Sequence, residues 1–150
     1  MNGSNGKNAI RRLLAAIEYP ERMPEGGVSF MLRVDGAELF AEESDGRITL
    51  SRSLTEDEAL LPRLAAYAVG RMLKEDATLA WGRMPGDEIG NHPPSAFLWQ
   101  SVPADAEANT LLFFFESFMN SCDWWRARVD TPGATEKADN MSPETMVIMP

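Results

Sequence analysis

The residues that could do chemistry in this chain are a lone histidine and a lone cysteine. His92 stands in an Asn-His-Pro-Pro segment with no second histidine or cysteine nearby, so it cannot assemble a zinc site. We interpret it as a solvated loop residue. Cys122 lies near Phe118 and Trp125 on an apolar helical stripe, where a free cysteine is typical of a core position. No cationic neighbour that would lower its pKa is evident in the sequence.

Acidic pairs and glycine clusters offer no better candidate for chemistry. Glu42 and Glu43 are adjacent in a predicted strand, so their side chains should point to opposite faces of the sheet. Asp87-Glu88 is interpreted as solvating charge. Gly26-Gly27 and the glycines from Gly86 to Gly90 lack the spacing of phosphate-binding loops. We therefore expect no catalytic residue, no metal and no cofactor, and a protein that is not an enzyme.

Composition narrows the possible partners. The chain has 150 residues, a formal net charge of -9 and a pI near 4.6. Such a surface repels phosphate backbones and anionic lipids, so nucleic acid and membranes are poor partners. The amino-terminal apolar run is too short for a signal peptide, and no run approaches the length that spans a bilayer. We expect one soluble domain in the cytoplasm.

Hydrophobic periodicity predicts the elements of the first half. Ile10, Leu13, Leu14 and Ile17 recur at helical spacing, and Pro20 ends that helix. Three strands follow, because apolar residues then alternate with polar ones and Asp-Gly pairs separate the runs. The alternating residues are Val28, Phe30, Leu32 and Val34, then Leu39 and Ala41, then Ile48 and Leu50.

The second half predicts a helix, two strands and a final helix. Thr55 and Glu58 fit a capping box at the start of a helix, although Pro62 leaves that start uncertain. Strands are predicted for residues 77–83 and 96–102, joined by a long Gly- and Pro-rich loop. The last helix opens near Asp105, and its apolar face is wider than packing on one sheet requires.

These elements define an α+β fold in the order α-β-β-β-α-β-β-α, with a twisted antiparallel sheet of five strands and three helices. The predicted domain covers residues 9–130. Residues 1–8 and the acidic tail 131–150 are expected to be disordered. Four tryptophans, nine methionines and seven phenylalanines exceed what a small core should need. We therefore expect an exposed apolar surface that binds another protein.

Five stretches, taken in order, resemble the type III secretion chaperones of the effector-binding class I type. The stretches are IRRLLAAIE, FMLRVDG, AELFAEESDGRITLSRSL, GRMLKEDATLAW and FFFESFMNSCDWWRARV. The resemblance covers roughly residues 10–129. A long proline-rich loop and a Met-rich tail depart from the pattern and are similar to multi-client chaperones of the HpaB type.

This resemblance implies a cytoplasmic homodimer that binds the amino-terminal segment of secreted effector proteins and keeps them competent for secretion. The implied dimer interface comprises Leu64, Ala68, Met72, Leu79 and Trp81. The implied client-binding residues, expected to be exposed, are Leu14, Ile17, Phe30, Leu39 and Phe40. The sequence leaves open whether the ATPase of the secretion apparatus is a second partner.

Two other functions remain possible from the sequence. The first is a dimeric regulatory or adaptor protein that binds a folded partner, and the second is a small enzyme on an α+β scaffold. A chaperone should hold its client in extended form, whereas an adaptor should leave its partner folded.

Overall fold

A computed structural model describes residues 9–21, 27–71, 73–86, 90 and 92–130 of the chain. The described residues form three α-helices and five β-strands in the predicted α-β-β-β-α-β-β-α order. The elements are α1 (Ala9–Ala16), β1 (Ser29–Val34), β2 (Ala37–Ser44), β3 (Arg47–Thr55), α2 (Leu61–Arg71), β4 (Thr78–Gly82), β5 (Ser95–Pro103) and α3 (Ala108–Asp130). The strands make one antiparallel sheet in the order β1-β2-β3-β5-β4, which confirms the α+β prediction.

Tight turns connect the first three strands, as the Asp-Gly pairs predict. Asp35 and Gly36 have φ values of 51° and 81°, and Asp45 and Gly46 have 54° and 75°. Both residues of each turn therefore lie in the left-handed region, which matches the right-handed twist of the flanking strands. Glycine is favoured at the second position because it reaches this region without steric cost.

The start of α2 differs from the predicted capping box. Thr55 is the last residue of β3, and its hydroxyl accepts a hydrogen bond from the backbone N–H of Asp57. Asp57, rather than Thr55, caps a one-turn 3-10 helix over Glu58–Leu60, since its carboxylate accepts from the Ala59 N–H at 3.0 Å. Pro62 follows as the second residue of α2. The proline is tolerated because no intrahelical hydrogen bond is lost in the first turn.

Helices α1 and α3 cover one face of the sheet and form the core with it. Their fully buried side chains include Ile10, Leu13, Phe118 and Trp125. The opposing sheet residues alternate in sequence, as half-buried strands require. They are Leu32, Leu39, Ala41, Ile48, Leu50, Ala96 and Leu98. Arg12 of α1 also donates to the carbonyl oxygens of Ala104 and Ala106, and so fixes that helix beside the end of β5.

Glu75, between α2 and β4, joins this connection to α3. Its side chain is 10% exposed. Its carboxylate accepts hydrogen bonds from Arg71 Nε at 3.0 Å, Ser121 Oγ at 2.9 Å and Trp125 Nε1 at 3.1 Å. Beside it, Trp124 packs between the guanidinium groups of Arg71 and Arg128, at 4.2 and 3.8 Å from its ring centre. These contacts hold α2 against the second half of α3.

The predicted termini, residues 1–8 and 131–150, lie outside the described residues. Among the helices that the structure describes, none has the length and apolar character needed to span a bilayer.

Candidate functional site

The face of the sheet opposite α1 and α3 carries a row of side chains that crosses all five strands. Paired residues share a face of a sheet, so the register places Met31, Phe40, Ser51, Trp99 and Thr78 in one line. Met31 is 50% exposed and Trp99 is 37% exposed, whereas Ser51, between Phe40 and Trp99, is 1% exposed. We call this surface, defined by Met31, Phe40 and Trp99, the open-face patch. Exposed apolar side chains on one face are typical of protein-binding surfaces.

Part of the connection between β4 and β5 lies against the open-face patch. A Cβ atom added at Gly86, whose φ is 96°, would come within 2.9 Å of the Phe40 ring. Gly86 therefore lets the backbone approach the aromatic ring closely. This contact explains why Phe40 is half-buried, whereas Met31 on the neighbouring strand is exposed.

The strands at both edges of the described sheet have one paired side each. β1 pairs with β2 and β4 pairs with β5, so the outer sides of β1 and β4 have no strand partner, although at Arg33 of β1 the Tyr19 hydroxyl already accepts from the backbone N–H at 2.8 Å. Such an edge can accept an additional strand from another polypeptide. Met31 belongs to β1, so the apolar patch reaches one of these edges.

Most of the predicted client-binding residues lie on the opposite side of the sheet. Leu14 is 4% exposed and Leu39 is 0% exposed, so the expectation that they are exposed is wrong. Ile17 and Phe30 are partly buried and pack against the same core. Phe30 also makes an edge-to-face contact with Tyr19. Of the five, Phe40 alone lies in the open-face patch, because alternate residues of a strand point to opposite faces.

The predicted dimer residues divide between the inside and the outside of the chain. Leu64 and Ala68 are 1% and 9% exposed and form the inner face of α2. Leu79 is partly buried against the core, and Trp81 is 36% exposed. Met72 lies outside the described residues.

The outer side of α2 carries other apolar residues instead. Val69 is 76% exposed, and Leu73, just beyond the helix, is 87% exposed. We call Val69 and Leu73 the α2 outer face. Apolar residues of α2 therefore face both the core, as Leu64 and Ala68 do, and the surface, as Val69 does.

The environment of Cys122 does not favour a reactive thiolate. Cys122 is 0% exposed, and burial raises the pKa of its thiol to about 12, with the Arg52 guanidinium offsetting part of this effect. A thiol with such a pKa stays protonated and unreactive at neutral pH. His92 is exposed in the connection between β4 and β5.

Glu42 and Glu43 are neighbours in β2, so their side chains point to opposite faces of the sheet. Burial raises the pKa of the Glu43 carboxyl group. Asp87 and Glu88 lie outside the described residues. Among the described His, Cys, Asp and Glu side chains, no group of three or more could hold a metal ion.

Sequence reasoning missed Met31 and Trp99. Both interrupt the alternation of buried apolar and exposed polar residues along their strands. Met31 is next to the fully buried Leu32, and Trp99 is next to the fully buried Leu98. The signal available in the sequence was an apolar residue at a strand position where the alternation predicts a polar, outward-facing residue.

Neither the protein-family models nor the curated protein sequences contain a match to this chain. A solved structure with a similar fold is that of YbjN from E. coli, a protein proposed to be a transcription regulator. The two chains are 13% identical, and the match covers 83% of this chain and 92% of YbjN with a TM-score of 0.60. At this identity the likeness shows a shared fold.

Proposed function

We propose that the protein is a non-catalytic polypeptide-binding protein, and more specifically a type III secretion chaperone acting in the bacterial cytoplasm. The open-face patch is the observation that carries the first part of this proposal, because it places exposed apolar side chains beside a sheet edge. The specific class rests on the five sequence stretches that resemble the chaperone family. Its clients would be the amino-terminal segments of secreted effectors.

An extended client would bind by two kinds of contact. Its backbone would pair with the outer side of β1, and its alternate side chains would lie against Met31 and Phe40. Ordering the client costs conformational entropy, which offsets much of the contact energy and leaves binding reversible. Reversible binding suits a protein that must release its client for secretion.

Charge substitutions in the open-face patch test this proposal. In cells with a type III secretion system, we expect the wild-type protein to co-purify with effectors and the Met31→Asp, Trp99→Asp double variant to lose them. The physical reason is the cost of burying a carboxylate against an apolar client. Phe113→Asp is the matched control, since Phe113 is 69% exposed on α3, away from the sheet.

Limited proteolysis then distinguishes a chaperone from an adaptor. A chaperone should change the cleavage of the client's amino-terminal segment, because that segment is bound in extended form. An adaptor should leave the cleavage pattern of its folded partner unchanged. Recovery of effectors at wild-type level by the double variant would contradict the position of the site, and absence of effectors from the wild-type sample would contradict the function.

We also propose that the protein is a homodimer through the α2 outer face together with Trp81. Exposed Val69 and Leu73 support this surface in place of the buried Leu64 and Ala68. Val69→Asp should convert a dimer to a monomer in sedimentation velocity at micromolar concentration, whereas Phe113→Asp should not. A wild-type protein that sediments as a monomer would contradict the proposal.

A further inference from the structure

A cleft opens where strands β2 and β3 separate. Their pairing runs from Ser44 and Arg47 to Phe40 and Ser51, although β2 begins at Ala37 and β3 continues to Thr55. The cleft has a volume of about 500 Å³ and is lined by β1, β2, β3 and α3 and by the described residues of the connection between β4 and β5. This volume falls within the range of small-molecule sites in proteins.

Three arginines line this cleft, and two of them, Arg52 and Arg126, come from β3 and α3. Arg126 of α3 is held in place, because its Nη1 donates to the carbonyl oxygen of Leu54 at 2.6 Å and its Nη2 to Asp130 at 3.3 Å. Arg52 of β3 contacts the Cys122 thiol, which is a weak acceptor. Among the described residues, no salt bridge or hydrogen bond joins the Arg52 guanidinium to an oxygen atom.

The hydrogen bonding of the Arg52 guanidinium suggests that a ligand could supply an oxygen acceptor. A guanidinium has five N–H donors in a planar fork that matches a carboxylate. Arg52 is half-buried and lines the cleft. A ligand in the cleft can therefore reach it.

The charge of the lining favours a ligand with one negative charge. Arg33 pairs with Glu38 and Arg126 pairs with Asp130, so among the described lining residues Arg52 is the arginine without a carboxylate in ion-pair distance. The whole chain carries a formal charge of -9 and repels polyanions. A monocarboxylate fits this balance better than a phosphate ester.

The rest of the lining is apolar. It comprises Met31, Ala37, Phe40, Met84, Pro85 and Pro93. We propose that the cleft binds a small monocarboxylate with an apolar body, whose carboxylate pairs with Arg52 and whose body packs against Phe40. The cleft shares Met31 and Phe40 with the open-face patch, so this ligand and the proposed client would compete, although ligand binding does not depend on the chaperone function.

Calorimetric titration of the full chain tests the proposal, with octanoate as the probe. Octanoate should bind, whereas octanol should bind at least about tenfold more weakly because it lacks the charge-assisted hydrogen bonds. Inorganic phosphate should not compete. Arg52→Gln should weaken octanoate binding by about tenfold or more, and Arg47→Gln should leave it unchanged, because Arg47 lies at the opposite end of β3.

Several results would overturn the proposal. The first is that octanol and octanoate bind with equal affinity. The second is that a folded Arg52→Gln variant binds octanoate as tightly as the wild type does. The third is that the wild-type chain does not bind octanoate. If Arg52→Gln fails to fold, Phe40→Ala decides, since it shortens the apolar wall and leaves the arginines in place. Phe40→Ala should weaken octanoate binding, and unchanged affinity would refute the site. Octanoate should shift the backbone amide resonances of Arg52 and Ser53 but not that of Phe113.

Discussion

Replacing Glu75 by glutamine should destabilise the protein strongly, although the substitution changes the side-chain size very little. The carboxylate uses one oxygen for Arg71 and Ser121 and the other for Trp125. A glutamine has a single acceptor oxygen, so its NH₂ group must face at least one of these donors. Water cannot replace the lost acceptor at Trp125, which is 0% exposed.

The expected magnitude follows from these contacts. A buried donor left without a partner costs about 1–3 kcal/mol. Loss of the charge-assisted bond from the partly exposed Arg71 adds about 1 kcal/mol. Together they predict a loss of about 2–4 kcal/mol, a large fraction of the about 5–15 kcal/mol of a typical domain.

Urea denaturation followed by far-UV circular dichroism measures this loss. The matched control is Asp76→Asn, because the neighbouring residue Asp76 is exposed. The control should change the free energy of unfolding by less than about 0.5 kcal/mol. If Glu75→Gln were as stable as Asp76→Asn, the three hydrogen bonds would not hold α2 to α3 in the way described.

Two further predictions concern backbone conformation and pH. Gly46→Ala should destabilise the fold by about 1 kcal/mol because φ is 75° there, whereas Gly70→Ala in α2 should stabilise it by about 0.5–1 kcal/mol in the same denaturation assay. Equal effects of the two would contradict this explanation. The folded pKa of Cys122, about 12, exceeds its ordinary value of 9.0, so its contribution is fully present below pH 9 and is lost as pH rises toward 12. Relative to Cys122→Ala, the wild type should lose at most about 4 kcal/mol over that range, and parallel pH curves would refute the linkage.

Local signals in the sequence were sufficient for the order of elements. The Asp-Gly pairs predicted both turns of the first three strands, because their φ requirement is local. Alternation also placed Phe30, Leu32 and Val34 correctly on one face of β1. The sequence could not show that this face is the buried one, because Phe40 beside Leu39 is equally apolar.

The contacts between distant elements had no local signal. Glu75 meets Ser121 and Trp125 only when α2 and α3 pack together, and nothing in its neighbourhood distinguishes it from a solvated carboxylate. No local feature of the sequence distinguishes Arg52 from the other polar residues of β3, yet the separation of β2 from β3 places it in a cleft. The departure of two strands from each other depends on the whole sheet.

The position of β5 between β3 and β4 also constrains how the chain can be made. Ile48 pairs with Val102, so β3 stays without its second neighbour until the ribosome has released most of the domain. During that interval the outer side of β3 is open to pairing with other nascent chains. The pairing of β3 with β5 joins residues that are far apart in the sequence, which predicts slower folding than that of a helix bundle with mainly local contacts. The interval between the synthesis of β3 and the synthesis of β5 is therefore the stage at which this protein most needs protection from aggregation.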